Sequence, residues 1–175
     1  MERSVETVGP GPYSGGASRD AACFTQHVPT FDFTFTVDAP FAAVSAFHHD
    51  STALKKLTPP PMFVQIHSME PLAEGSITKF TVWAGPLPIR WTAEHSDVSD
   101  SGFTDTQAEG PMARWVHTHR YIPIDDTTTK VTEHIEYEFG SGKDRLVGLL
   151  AFSKPALLGL FNYRKLRTRW DLRKA

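Results

Sequence analysis

The first hydrophobic pattern in the chain is a strict alternation. Phe31, Phe33, Phe35 and Val37 interleave with Asp32, Thr34, Thr36 and Asp38, which predicts a half-buried strand. Ordered structure is expected to begin near Val28. Asp38 then reads as the N-cap of a short helix, with Pro40 tolerated in its first turn. Phe41, Val44, Ala46 and Phe47 supply the apolar side of that helix. A second helical turn over Ser51 to Leu57 must end before Pro59-Pro60-Pro61, because proline lacks the N–H and biases its predecessor towards extended structure. Six further strands are predicted at about 62–69, 76–84, 88–98, 102–109, 113–122 and 129–139. The breaks between them are Glu74-Gly75, Gly85-Pro86, Asp100-Ser101-Gly102, Gly110-Pro111 and Asp125-Asp126. Links this short imply an antiparallel meander. The last segment, Asp144 to Leu172, reads as helix, kinked or restarted at Pro155, with Leu157, Leu158, Leu160 and Phe161 on its apolar side. The order predicts an α+β fold, a curved antiparallel sheet of about seven strands wrapped around a long C-terminal helix. Such a sheet and one helix leave a space between them. Residues 1–24 are rich in Gly, Ser, Pro and Ala without hydrophobic period and predict a disordered tail before a domain over 25–175.

One strand breaks the apolar pattern. Trp115, His117, His119 and Tyr121 share a face, because strand side chains alternate with period two. Valine or leucine would fill that face at no polar cost, so two imidazoles mark a polar function. Taking Gly110-Pro111 as the turn sets Asp105 opposite His117 and Phe103 opposite His119. The next link sets Glu133 opposite His119 and Ile135 opposite His117. Opposed Cβ atoms lie roughly 4.5–5.5 Å apart, so the expected product is two buried pairs, Asp105–His117 and His119–Glu133. A carboxylate beside an imidazole favours imidazolium, or fixes the tautomer that a general base needs. His117, His119, Asp105 and Glu133 are therefore the candidate catalytic residues. The alternative is a satisfied hydrogen-bond network that sets strand register and does no chemistry. Phe103, Gln107, Trp115, Tyr121, Ile135 and Tyr137 share the face and are candidate ligand contacts. Trp83 and Trp91 flank Gly85-Pro86, so one or both are expected to line the same space.

Composition narrows the classes. The chain has 175 residues, 40% hydrophobic and 22% charged, with a net charge of −2, which fits one globular domain. The charge is uneven: residues 164–175 carry +5 and the remainder −7. A basic C-terminal turn suits either a helix C-terminus or an anionic surface. Cys23 is the only cysteine, so no intrachain disulfide forms. Neither a secretory signal pattern nor an apolar run long enough to cross a bilayer is present, and a cytoplasmic location is expected. No aromatic–basic platform points to nucleic acid, and Gly140-Ser141-Gly142-Lys143 lacks the upstream glycine of a phosphate-binding loop. His117-x-His119 is a workable metal-ligand spacing, but Tyr121 to Ile124 offer no third ligand, so no metal and no cofactor are expected. His48-His49-Asp50 reads as a solvated helix end, and His67, His95 and His134 as isolated.

Ala39-Pro40-Phe41-Ala42-Ala43-Val44 at the first helix, Leu54 to Leu57 before Thr58-Pro59-Pro60, and Gly110-Pro111 followed by Trp115-x-His117-x-His119 then carry a resemblance. With Thr129, Glu133, Tyr137 and a late Phe161-x-x-Arg164, this run resembles the START-like, or SRPBCC, superfamily, in particular its cyclase/dehydrase-type members. The resemblance covers about residues 28–172. It implies a helix-grip fold, a long hydrophobic cavity, and a small-molecule or lipid ligand to which Phe161 would contribute. Members include lipid carriers, hormone receptors, quinone-binding proteins and aromatic polyketide cyclases, with no shared catalytic set. Three functions follow as expectations: a binding protein for an apolar lipid-, quinone- or polyketide-like molecule, a cyclase, dehydratase or isomerase using His117 or His119 as base, and a peripheral membrane module using the basic C-terminal helix.

Overall fold

The alternating phenylalanine run forms β1 (Thr30–Val37), with Phe31, Phe35 and Val37 buried and Asp32, Thr34 and Thr36 exposed. A computed structural model describes residues 28–50 and 52–173; the expected disordered tail and Cys23 lie outside the described residues. After β1 come α1 (Phe41–His49) and α2 (Ala53–Lys56), then the strands β2 (Phe63–Met69), β3 (Ile77–Ala84), β4 (Leu87–Ser99), β5 (Gly102–Glu109), β6 (Met112–Asp125) and β7 (Thr128–Phe139). Two helices end the chain, α3 (Gly142–Phe152) and α4 (Lys154–Leu172). The strands form one antiparallel sheet in the order β1-β7-β6-β5-β4-β3-β2. β2 to β7 follow one another as hairpins. α1 and α2 carry the chain away from β1, which pairs instead with the far side of β7, setting Phe33 beside Glu133.

The strand registers are the expected ones where they matter. Asp105 opposes His117 and Phe103 opposes His119. His119 opposes Glu133, and His117 opposes Ile135. Gly102 makes the β5 start feasible: at φ 143° it sits against the backbone of His119, where a Cβ would lie 1.9 Å from the carbonyl oxygen.

Three local expectations are corrected. Asp38 does not cap α1; Pro40 occupies the N-cap, with no side-chain cap, and its carbonyl accepts from Ala43 and Val44 N–H. The preceding Ala39 is buried and its carbonyl accepts from Thr129 Oγ1 at 2.9 Å, which pins the chain two residues later than the Asp38 cap would require. Ala46 is exposed, and Ser45 takes the inner position, donating Oγ–H to the Asp100 carbonyl at 2.7 Å. Leu158 is 48% exposed while Leu157 and Phe161 are sealed. At Pro155 the helix restarts. Ser153, extended at ψ 157°, ends α3 and caps α4, and the two axes differ by 47°.

Two apolar clusters result. One joins Phe31, Trp91, Trp115, Ile135 and Tyr137 to Leu157 and Phe161 of α4. The other joins Val37, Phe103, Tyr121 and Val131 to Val44, Phe47 and Leu172. His117, His119 and Glu133 are buried at the sheet positions between them. No single helix among the described residues is long and apolar enough to cross a membrane.

The contrast on α4 is testable. Leu157→Ala is expected to lower unfolding free energy by about 2–5 kcal/mol, through lost transfer energy and a cavity. Leu158→Ala should change it by less than about 0.5 kcal/mol. Urea unfolding of both variants measures the difference.

Candidate functional site

The bend between α3 and α4, together with α1, α2 and the concave side of the sheet, leaves a pocket of about 1040 Å³. One wall is aromatic. Trp91 and Trp115 meet edge to face at 5.5 Å, and Phe152 of α3 lies 5.6 Å from the first and 5.1 Å from the second. Phe80 stacks behind Trp91 at 6.3 Å. The other wall is polar: His48 and His49 from α1, His95 from β4, Asp105 from β5, His117 and His119 from β6, and Arg164 from α4.

The polar groups are chained together. Glu133, 4% exposed, accepts from His117 Nε2–H at 2.8 Å, and the same oxygen lies 2.8 Å from His119 Nδ1. That second approach is too bent for a directed hydrogen bond and is an ionic contact. His119 Nε2 bonds Asp105 Oδ2 at 3.1 Å, and the other Asp105 oxygen lies 3.1 Å from His95 Nε2. His95 Nδ1–H donates to the Ser76 carbonyl at 2.9 Å. The expected Asp105–His117 pair is therefore not made. Asp105 reaches diagonally to His119, and Glu133 serves both histidines, because diagonal neighbours on a sheet face stay within reach of long side chains.

Burial and charge split the two histidines. Burial depresses the His117 pKa, the neighbouring His119 charge lowers it further, and Glu133 only partly compensates, leaving it at about 4. His117 is neutral, with its proton on Nε2 towards Glu133, and its ring lines the pocket. Burial also opposes charge on His119, but Glu133 and Asp105 flank both its nitrogens and raise its pKa to about 9. Burial works against the charges of Asp105 and Glu133 as well; the His119 cation overrides it and holds both carboxyls below their usual range. His48 donates Nδ1–H to the Val44 carbonyl at 2.9 Å and is depressed by burial to about 4.

The predicted residues divide. Trp91, Phe103, Asp105, Trp115, His117, His119 and Phe161 line the pocket. Glu133 lies behind the histidines, outside the lining. Ile135 and Tyr137 are buried in the cluster beneath α4, and Tyr121 is sealed with its ring stacked on His48 at 4.8 Å. Trp83 is on the outer face, stacked on Phe63 and donating Nε1–H to Gln65. Gln107 lies outside the lining: β5–β6 pairing stops at Thr106, and its amide bonds both Met112 backbone groups at 2.8 and 3.2 Å. The expectation of a solvated His48 and His49 is wrong, since α1 turns both into the pocket. His95 is not isolated. A register shift between Ser96 and Ser99 sets it directly opposite Asp105, where a plain count from the Ser99–Gly102 pair gives Thr106. Arg164, which the sequence placed in a basic turn, points inward.

Asp105, His117 and His119 each present a ligand atom within 4.8 Å of the others, so the fold supplies a third candidate metal ligand that local spacing lacked. A divalent ion there would compete with the proton that His119 already holds between two carboxylates.

No family model and no curated protein matches the chain. Solved structures do. The Zhui aromatase/cyclase of a Streptomyces species is 18% identical, covers 82% of this chain and 90% of its own, and superposes with a TM-score of 0.57. A START superfamily protein from Mycobacterium smegmatis is 10% identical, with 83% and 97% covered and a TM-score of 0.62. Norcoclaurine synthase from Thalictrum flavum is 12% identical, with 85% and 89% covered and a TM-score of 0.61. The chain has the START-like helix-grip fold. In this helix-grip frame the sheet's share of the polar wall spans β4 to β6, and α4 closes over it.

The split pKa values predict a bell-shaped stability profile. Below the unfolded histidine pKa of about 6.5, the unfolded chain binds protons that native His117 and His48 refuse, so stability falls as pH drops towards 4. Above 6.5, native His119 keeps a proton that the unfolded chain releases, so stability is lost as pH rises through about 9. Thermal unfolding should peak near pH 6.5. The alkaline loss is on the order of 3 kcal/mol; His119→Gln should flatten that limb and also soften the acid one, because the His119 charge helps depress His117.

Proposed function

We propose that this helix-grip chain binds an apolar small molecule, of lipid-, quinone- or polyketide-like character, in the pocket between sheet and α4. The supporting observation is the division of that pocket into an aromatic wall of Trp91, Trp115 and Phe152 and a polar wall that includes the neutral His117. Its volume of about 1040 Å³ suits a ligand of drug size or somewhat larger, for which sites of about 300–1,000 Å³ are typical. Apolar contact supplies affinity, and the few polar groups orient the ligand. Among the similar structures, norcoclaurine synthase is recorded with dopamine and hydroxybenzaldehyde, small aromatic molecules of this kind.

Acid–base catalysis is the second reading. It is favoured by the tautomer of His117: Glu133 holds the Nε2 proton, which leaves Nδ1 as the basic nitrogen of a ring that lines the pocket. His117 would take a proton from carbon next to a carbonyl, and His119, protonated between Asp105 and Glu133, would steady the cluster charge. The magnitude favours binding. A base serves best with a pKa near the working pH, and His117 at about 4 lies well below it.

Native mass spectrometry of the purified protein tests the first reading. A retained small molecule is expected, lost in Trp91→Ala while the far-ultraviolet dichroism persists. A bare wild-type mass, with no thermal shift from added naphthoquinone or flavonoid probes, would count against it. For the second reading, His117→Ala should cut turnover of any substrate found by about 10²–10⁴-fold and spare ligand uptake. Full activity in that variant removes His117 as the base.

A further inference from the structure

Arg164 is left over from the site as described. It lines the pocket from α4, with its guanidinium carbon 5.0 Å from the Phe161 ring centroid. Its Nε is sealed from solvent and has no hydrogen-bond partner, and among the described residues no carboxylate lies within ion-pair distance of it. Asp105 and Glu133 act on its charge from beyond contact distance; Glu133 is engaged by His117 and His119 and one Asp105 oxygen by His119, while Asp105 Oδ1 has no hydrogen-bond partner. A cation in a half-buried wall without a partner is costly, and completing it stabilises the site. His49 lies on the same wall, and its Nε2 is likewise sealed without a partner. Phe161, which carries Arg164 on one side, meets the His117 ring at 5.5 Å. A ligand group seated on Arg164 is therefore beside the histidine cluster, with the aromatic wall left for its body.

We infer that the ligand is an aryl or aryl-like carboxylic acid, bound as its anion on Arg164 with its ring against Trp91, Trp115 and Phe152. This rests on the ligand-binding reading above and names the ligand class. Guanidinium suits it, since its planar fork matches a carboxylate in two parallel hydrogen bonds. A neutral quinone or lipid tail would leave the guanidinium unanswered.

The test is a matched pair of probes, 2-naphthoic acid and 2-naphthamide, titrated calorimetrically into the full chain at pH 7. They share ring and shape and differ in charge. Wild type should bind the acid at least tenfold more tightly than the amide. Arg164→Met should bring that ratio close to one, and Arg164→Lys, which keeps the charge without the fork, should retain a several-fold preference. If Arg164→Met does not fold, judged by its melting curve, the reduced ratio in Arg164→Lys decides. Equal affinity of acid and amide for wild type would overturn the inference and leave the ligand-binding reading standing. An acid preference unchanged in both variants would place the anion elsewhere and also overturn it. Binding of neither probe would sink the inference together with the reading beneath it.

Discussion

The shared carboxylate of Glu133 is the constraint around which the interior is arranged. A buried, ionised carboxylate without partners costs several kcal/mol, and this one has two imidazoles within 2.8 Å. Satisfying it demands that His117 and His119 be two residues apart on β6 and that β7 hold its register. It also demands that one imidazole be charged while the other stays neutral. The charged one, His119, then needs Asp105 on its far nitrogen, and His95 lies 3.1 Å from the other Asp105 oxygen. One acid on β7 thereby organises side chains on β4, β5 and β6. Breaking such a network from one side leaves an uncompensated buried charge, which is why its members are worth more together than singly.

This cluster explains the pocket's asymmetry. It lies between two apolar clusters, one under α4 and one under α1, so the sheet's concave side is polar in a band and aromatic beyond it. α4 lays Phe161 against that band and brings Arg164 with it one turn later. Binding and proton transfer draw on the same residues. They differ in what His117 does with one lone pair. His117 is the one that burial keeps neutral, and His119, which holds the proton, lies between two carboxylates.

Much of the architecture was readable in one dimension. Period-two alternation, tight turns and prolines are local signals, and local geometry converts them directly into strands and breaks. Register also followed, because the Gly110-Pro111 turn and the link at Asp125-Asp126 set which residues meet, and one buried face penalises any slip. Side-chain pairing did not follow. Opposed and diagonal neighbours compete, and the choice of Asp105 for His119 over His117 depends on where Glu133 sits two strands along the sheet. His48, His49 and Arg164 were missed for a related reason. Each sits on a helix, and the direction a helix face points depends on how it docks.

The sequence by itself determined the seven strands, their order of hairpins, the terminal helix and the acid–imidazole composition of one face, since each is set by short-range sterics and by the period of apolar burial. Tertiary structure decided which carboxylate holds which imidazole, which histidine keeps its proton, and that Arg164 and His95 belong to the site. Those outcomes turn on burial and on charge–charge distances of about 3 Å between elements far apart in the chain, and no pattern along a sequence carries that information.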